Sequence, residues 1–192
     1  MKNLLIILLI LVFGFIAFLL VKDDFFDSKL NGLEVVPSNA IFVFETNDPV
    51  GYWNNLVNQP VWEKLHNLPA LADVESQLVL LDSITGKNGN LDKYLKGHRF
   101  RLSLHPIGKG AFGFLISVAF ENEHFFEFLK NLEEGPDNGI PGLKKRNYSG
   151  VELYEFKTER GEQTFTFTRF ENVLMGSHTS FLVEDGIRYA KS

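Results

Sequence analysis

The sequence contains no cysteine among its 192 residues. This absence excludes disulfide bonds, zinc sites built from thiolates and any cysteine nucleophile. It also excludes a lipoprotein, because a lipoprotein signal peptide must end in a cysteine that receives the lipid. A chain of this composition is compatible with an oxidising compartment.

Charge is missing altogether from residues 4–21, which read LLIILLILVFGFIAFLLV. A helix of this length spans about 27 Å, close to the hydrocarbon core of a bilayer at about 30 Å. A cleaved signal peptide has a shorter apolar region, about 7 to 15 residues, followed by a small-residue cleavage site. No such site follows this run, so we predict an uncleaved signal anchor. A cleaved signal peptide and a buried globular helix are the alternatives.

The charges beside this run predict its orientation. Lys2 and the free amine precede it, whereas Lys22 is followed by Asp23, Asp24 and Asp27. The positive-inside rule places the short N-terminus in the cytoplasm and the rest outside. We therefore expect a single-pass protein of the cytoplasmic membrane, with its domain on the periplasmic or extracellular side.

A surplus of basic residues is also lacking. Lys2 and Lys22 are two of the 19 basic residues, so from Asp23 onward 17 basic residues stand against 24 acidic ones, a net charge of −7. Phosphate binding needs a basic surplus on one face, so we expect no nucleic-acid partner. The basic cluster at residues 144–146 is interpreted as a solvated strand or turn, with a small-anion or partner site as the alternative.

Hydrophobic periodicity divides the remaining chain into helices and strands. Helical spacing predicts helices at residues 50–57, 61–67, 69–83, 91–95 and 123–132, and a last one from residue 179 or 180. Alternation and turn signals predict strands at residues 40–45, 98–105, 112–120, 143–148, 151–157, 164–170 and 173–177. In the strand at 98–105, Phe100 and Leu102 alternate with polar residues, which predicts one face against a core.

The predicted fold is α+β: an antiparallel sheet of about six or seven strands with helices mainly on one face, preceded by one N-terminal transmembrane helix. Residues 1–22 form the anchor, residues 23–34 a juxtamembrane linker and residues 35–192 the extracytoplasmic domain. A helix that starts so close to Ser192 usually continues, so we expect the domain to extend beyond this sequence.

A glycine pattern at residues 108–113 matches G-x-G-x-x-G through Gly108, Gly110 and Gly113. A dinucleotide site needs this pattern between a strand and a helix, whereas here it lies between two strands. A kinase glycine loop needs a lysine on the next strand and a downstream catalytic loop, and neither is present. The pattern therefore indicates a hairpin turn.

Titratable residues form no recognisable catalytic pattern. The five histidines lack metal-binding spacing, although His124 among three glutamates is a weak candidate; the histidines are His66, His98, His105, His124 and His178. Ser177 and His178 lack the G-x-S-x-G context of a hydrolase nucleophile. Acidic residues such as Asp73 and Asp82 fall on the polar face of an amphipathic helix. We predict no catalytic, cofactor-binding or metal-binding residues, no cofactor, and a protein that is not an enzyme.

Several short segments resemble one known family. They are residues 37–45 (PSNAIFVFE), Trp53, residues 60–62 (PVW), 91–92 and the hairpin 101–120, and a closing segment 164–187 with Ser180, Val183, Glu184 and Ile187 in place. The pattern is similar to an uncharacterised family of membrane-anchored cell-envelope proteins of Bacteroidota-type bacteria, over most of residues 35–191. The resemblance implies an envelope location and no catalytic residues.

Three functional hypotheses follow. The first is a non-enzymatic envelope protein that contacts the membrane through residues 4–21 and binds other envelope proteins or assembles with itself. The second is a module for lipid or another apolar ligand, suggested by the 19 phenylalanines. The third is a hydrolase with an acidic site built from scattered Asp, Glu and His side chains.

Overall fold

A computed structural model describes residues 30–65, 95–120, 142–157 and 164–192. The predicted anchor at 4–21 lies outside these residues, as do the helices predicted at 69–83 and 123–132 and most of the helix at 91–95. Within the described ranges, no helix has both the length and the apolar character needed to cross a membrane.

The described residues form one seven-stranded antiparallel sheet, which confirms the α+β prediction and the expected strand number. The strands are β1 (Phe42–Thr46), β2 (Arg99–Gly108), β3 (Ala111–Ala119), β4 (Lys144–Tyr148), β5 (Val151–Lys157), β6 (Thr164–Phe170) and β7 (Val173–Ser177). Their order across the sheet is β1-β2-β3-β7-β6-β5-β4. Two strand meanders therefore meet at the β3–β7 pair.

Tight turns set the register of the hairpins. Ser149 and Gly150 both have positive φ, at 52° and 82°, between β4 and β5. Positive φ at both central residues gives a turn whose twist matches that of the flanking strands. Glu171 has φ 52° in the turn between β6 and β7. Because the turn signals are local, the predicted bounds of β5, β6 and β7 agree with the structure.

Three helices are described: α1 (Pro49–Val57), α2 (Trp62–Leu65) and α3 (Ser180–Ala190). Asp48 caps α1, since its Oδ1 accepts a hydrogen bond of 3.0 Å from the backbone N–H of Gly51. Pro49 takes the first helical position, where its missing N–H costs no hydrogen bond.

One face of the sheet, here called the aromatic face, carries stacked rings. Its buried residues are Leu95, Phe100, Ile116, Val118, Phe120, Tyr154, Phe156, Phe165, Phe167 and Leu174. Tyr154 and Phe167 stack with ring centroids 5.0 Å apart, and Phe156 and Phe165 lie at 5.8 Å. Each buried aromatic or aliphatic side chain contributes about 1.5–3 kcal/mol, so this face supplies much of the folding free energy.

The opposite face, here called the α3 face, is covered by helix α3. Leu182, Val183 and Ile187 of α3 are fully buried against Leu115 and Met175 of the sheet. Val50 of α1 packs instead against the aromatic face. The described helices α1 and α3 therefore lie on opposite faces, because both faces of this sheet carry apolar residues that need a cover. The prediction of helices mainly on one face also involves the helices at 69–83 and 123–132, which lie outside the described residues.

The segment at residues 30–40 is packed against the α3 face before β1 begins. Val35 is fully buried, and the side chain of Asn172 donates a hydrogen bond of 3.0 Å to the carbonyl of Leu30. The Val35 carbonyl lies so close to Gly186 that a Cβ there would approach it to 2.8 Å. The chain is thus fixed to the domain from Leu30 onward.

Candidate functional site

The two end strands of the described sheet differ in chemistry. β1 (FVFET) has apolar side chains at three of five positions, whereas β4 (KKRNY) begins with three bases. An end strand presents unpaired backbone N–H and C=O groups, which can pair with another strand. We therefore treat the β1 edge, meaning residues 41–46 and the side chain of Tyr52, as the candidate functional site.

Apolar side chains at the β1 edge are unusually exposed. Ile41 is 60% exposed, Phe42 49% and Val43 38%. The two residues on either side of Val43 point to the aromatic face, because Phe42 aligns with Leu104 and Phe44 with Leu102. Val43 points to the other face, opposite Ser103. Apolar groups are thus exposed on both faces of this edge.

An aromatic pair extends the β1 edge onto helix α1. The rings of Phe44 and Tyr52 lie 4.7 Å apart between centroids, and Tyr52 is 53% exposed. Aromatic residues with an exposed face are enriched where proteins bind one another. The capped start of α1 positions this ring, because Asp48 fixes the first turn of the helix four residues earlier.

The one charged residue of β1 is neutralised within the chain. Glu45 Oε2 lies 2.6 Å from Nε of Arg101, whose side chain is 1% exposed against 45% for Glu45. The aligned pair Glu45–Arg101 spans β1 and β2 on the α3 face. Nε and Nη1 of Arg101 are buried without a well-directed hydrogen bond, so the Glu45 charge is the main compensation for that guanidinium.

Two of the three bases of β4 form ion pairs with acidic neighbours. Arg146 Nε donates to Glu155 at 2.6 Å, and its Nη2 donates to Glu184 of α3 at 2.7 Å. The hydrogen bond to Glu155 is the largest reason why the pKa of Arg146 is raised, and the bond to Glu184 adds to it. Lys145 lies 3.5 Å from Glu152. The strand has its two lysines exposed, in line with the interpretation of a solvated strand or turn, whereas Arg146 is partly buried by its two ion pairs.

A buried polar network lies beside the β1 edge. His105 is fully buried, with Nδ1 at 2.9 Å from Oδ1 of Asn39 and Nε2 at 2.8 Å from Oγ of Ser103. Ser103 Oγ also lies 3.2 Å from the carbonyl of Leu115. Burial lowers the pKa of His105 from its ordinary value of 6.5, and the Asp185 carboxylate opposes that change.

The protonation of this network follows from its partners. Desolvation favours the neutral imidazole, which has one N–H. That N–H is on Nδ1, because the Asn39 oxygen can only accept, so Nε2 is an acceptor. Ser103 has one hydroxyl proton, for which Nε2 at 2.8 Å and the Leu115 carbonyl at 3.2 Å compete as acceptors. In their contacts, Ser103, His105 and Asn39 match a nucleophile, a base and the group that orients the base. Ser103 is only 1% exposed, so the arrangement as it stands binds β2 to the segment before β1.

The other candidates from the sequence are dispersed. His98 lies beside the Phe120 ring at 4.8 Å, and His178 beside Phe165 at 5.1 Å. Ser177 Oγ donates to the Phe114 carbonyl at 2.6 Å. His66 and His124 lie outside the described residues. Across the ranges that the structure describes, no three His, Asp or Glu side chains group as metal ligands.

The glycine pattern serves packing. Gly110 is in the turn of the β2–β3 hairpin with φ 77°, as predicted. Gly113 lies beneath the start of α3, where a Cβ would approach Thr179 Oγ1 to 2.9 Å and Leu182 Cδ1 to 3.1 Å. A side chain at Gly113 would therefore push α3 away from the sheet.

Sequence reasoning missed the β1 edge and the buried polar network. The signal for the edge was available, because residues 40–44 carry no charge while residues 144–146 are all basic. Which strands end the sheet was not available, since it depends on the β3–β7 pairing. Comparisons of the chain with protein-family models, with curated proteins and with solved structures found no match.

Proposed function

We propose that this chain is a single-pass, membrane-anchored domain of the cell envelope that works by assembling with protein partners. The observation that carries the proposal is the exposed apolar β1 edge, together with the uncharged run at residues 4–21. The domain lies on the extracytoplasmic side, as the basic and acidic flanks of the run indicate.

The short connection supports a role close to the membrane surface. Leu30 is already bonded to the domain through Asn172. The chain between Val21 and Leu30 can span at most about 32 Å even when fully extended. A domain on so short a tether meets partners that share its membrane at a high effective concentration.

Contacts within the aromatic face bear on the apolar-ligand hypothesis. Tyr154, Phe156, Phe165 and Phe167 contact one another with ring centroids 5.0–6.4 Å apart. Such ring-to-ring contacts are typical of a packed core. The observations therefore favour assembly through the exposed edge over ligand binding by the phenylalanines.

Two experiments test the proposal. In the first, the full chain with a C-terminal alkaline phosphatase fusion is expressed in bacterial cells and its membranes are washed with alkaline carbonate. We expect active phosphatase and retention in the pellet; an inactive fusion contradicts the orientation, and release contradicts the anchor.

The second experiment measures assembly itself. The full chain is extracted in a mild detergent, and its mass is determined by sedimentation with correction for bound detergent. We expect a mass above that of one chain. A single-chain mass for protein cross-linked in intact membranes before extraction contradicts an assembly role, whatever the partner is.

A further inference from the structure

We propose that the partner of the β1 edge is the β1 edge of a second copy of this chain. The two strands pair antiparallel about a two-fold axis at Val43 and join two seven-stranded sheets. This inference rests on the proposed function and names its partner.

The backbone of β1 is suited to such pairing. A strand of five residues is about 17 Å long, and alternate residues direct N–H and C=O groups away from β2. On its inner side the strand is held to β2 up to Ile41, whose N–H donates a hydrogen bond of 2.9 Å to the Leu104 carbonyl. Burial of the exposed Ile41, Phe42 and Val43 side chains adds an apolar contribution on both faces.

The sequence of β1 is complementary to itself. With the axis at Val43, Phe42 of each copy faces Phe44 of the other, and Ile41 faces Glu45. Cross-strand aromatic pairs contribute about 0.2–1 kcal/mol each relative to alanine. Glu45 is already compensated by Arg101, and the two glutamates lie about 13 Å apart along the strands, so no like charges oppose one another.

Charge favours a second copy over a charged foreign strand. Residues 40–44 carry no charge that could attract a charged peptide. The β4 edge is a poor match for β1, because Lys144 and Lys145 are exposed and lysines on the edge strand of a sheet oppose pairing with another strand. A β1–β4 contact would also be head-to-tail and would propagate, whereas the β1–β1 contact closes as a dimer.

The small size of the contact means that the dimer forms in the membrane rather than between copies free in solution. A pair of five-residue strands buries well under the ~800 Å² per partner that is usual for stable complexes. Association of two copies free in solution is therefore weak. Two copies on short tethers in one membrane share a small volume, which raises their effective concentration and favours the pair.

The absence of cysteine makes a direct test possible. The variant Val43→Cys of the full chain carries a single thiol, and the two-fold axis brings both copies of that residue to Cβ–Cβ distances of about 4.5–5.5 Å. A short thiol-to-thiol cross-linker added to intact membranes should then give a covalent dimer of twice the chain mass, whereas a direct disulfide would need the two Cβ atoms at about 3.5–4.5 Å. Lys144→Cys, on the exposed opposite edge, is the matched control and should remain monomeric.

A second pair of variants tests the surface. Phe42→Lys added to Val43→Cys should abolish the covalent dimer, because it replaces the Phe42–Phe44 contact with a charge. Phe181→Lys, which changes an apolar residue 42% exposed on α3, should leave the dimer unchanged. Tryptophan fluorescence of each variant confirms that it is folded.

Three results with the variants overturn the inference, and a fourth distinguishes its failure from that of the proposed function. The first three are equal cross-linking of Val43→Cys and Lys144→Cys, a covalent product whose mass is not twice that of the chain, and persistence of the dimer in the Phe42→Lys variant. If Val43→Cys stays monomeric while the wild-type chain has a raised mass after membrane cross-linking, the partner is another protein. In that case the proposed assembly function stands and this inference fails.

Discussion

The two edge strands of the described sheet, β1 and β4, both have backbone N–H and C=O groups without a strand partner, but their side chains differ in chemistry. β4 ends the sheet with three bases, two of which bind the acidic residues Glu152, Glu155 and Glu184. β1 ends it with apolar side chains and one neutralised charge. Charged end strands discourage edge-to-edge pairing, and an uncharged apolar one permits it. The difference indicates which edge the protein leaves available for a partner.

The ion pairs at the two edges also differ in burial. At β1 a fully buried Arg101 meets a half-exposed Glu45, whereas at β4 the three partners are all partly exposed, between 23% and 33%. Removing one partner of a buried pair leaves an uncompensated charge, but replacing the buried charge itself does not. Single substitutions should therefore act asymmetrically at β1.

The largest expected effect is that of Glu45→Gln. It leaves the Arg101 guanidinium buried without a counter-charge, so we expect the free energy of unfolding to fall by about 2–3 kcal/mol. Arg101→Met should cost less than about 1 kcal/mol, because it removes the buried charge and keeps an apolar side chain of similar length. Urea unfolding of the full chain in mild detergent, followed by tryptophan fluorescence, measures both. Equal losses would show that Glu45 does not compensate Arg101.

At the β4 edge, Arg146→Met should have an intermediate effect. It breaks the contacts to Glu155 and Glu184 and so loosens β4 from α3, at a cost of about 1–2 kcal/mol. Lys144→Met, two residues earlier on the same strand, should change the free energy by less than about 0.5 kcal/mol. The same urea titration compares them, and a cost for Lys144→Met as large as that of Arg146→Met would refute the assignment.

A smaller difference, about 1 kcal/mol, is expected between two glycine variants. Gly32 and Gly97 both have φ near +82°, but only at Gly32 would a Cβ meet the guanidinium of Arg101. Each Gly→Ala change costs about 1 kcal/mol for the left-handed backbone. Gly32→Ala should cost about 1 kcal/mol more, because Arg101 must move. The urea midpoints of the two variants measure this difference, and identical midpoints would mean that Arg101 moves without cost.

The strands could be predicted from the sequence because their determinants are local. Period-two alternation and the turns at Ser149–Gly150 and Glu171–Asn172 define β4 to β7 to within one residue. Asp48 followed by Pro49 likewise defines the start of α1. The pairing of β3 with β7 joins residues 60 positions apart, such as Ile116 and Gly176, and no local pattern encodes it.

The chemistry beside β1 escaped prediction for a related reason. Alternation in β2 assigns Arg101, Ser103 and His105 to one face, but it does not show whether that face meets solvent or another layer. All three are at most 1% exposed, because α3 and the segment at residues 30–40 lie on the α3 face. A polar row on a strand is therefore ambiguous until the partner of that face is known.

The smallest expected effect is a pH dependence of stability through His105, which lies beside the β1 edge. Burial lowers the pKa of His105 below 6.5, so the unfolded chain binds a proton at this residue more readily than the folded chain. The contribution of neutral His105 to the free energy of unfolding is fully present above the pKa of the unfolded chain. It is lost as the pH falls from 6.5 towards the pKa of the folded chain.

We expect the urea concentration at the unfolding midpoint of the wild-type chain to decrease as the pH is lowered from about 7 to about 5.5, in part through His105. His105→Gln should reduce that slope, since glutamine can bond Asn39 and Ser103 without titrating. Asp185→Asn should steepen it, because the carboxylate favours the charged imidazole and opposes the effect of burial. A slope unchanged in both variants would mean that protonation of His105 is not coupled to folding. Because Asn39 leads directly into β1, a loss of this network at low pH should also reduce the covalent dimer of Val43→Cys.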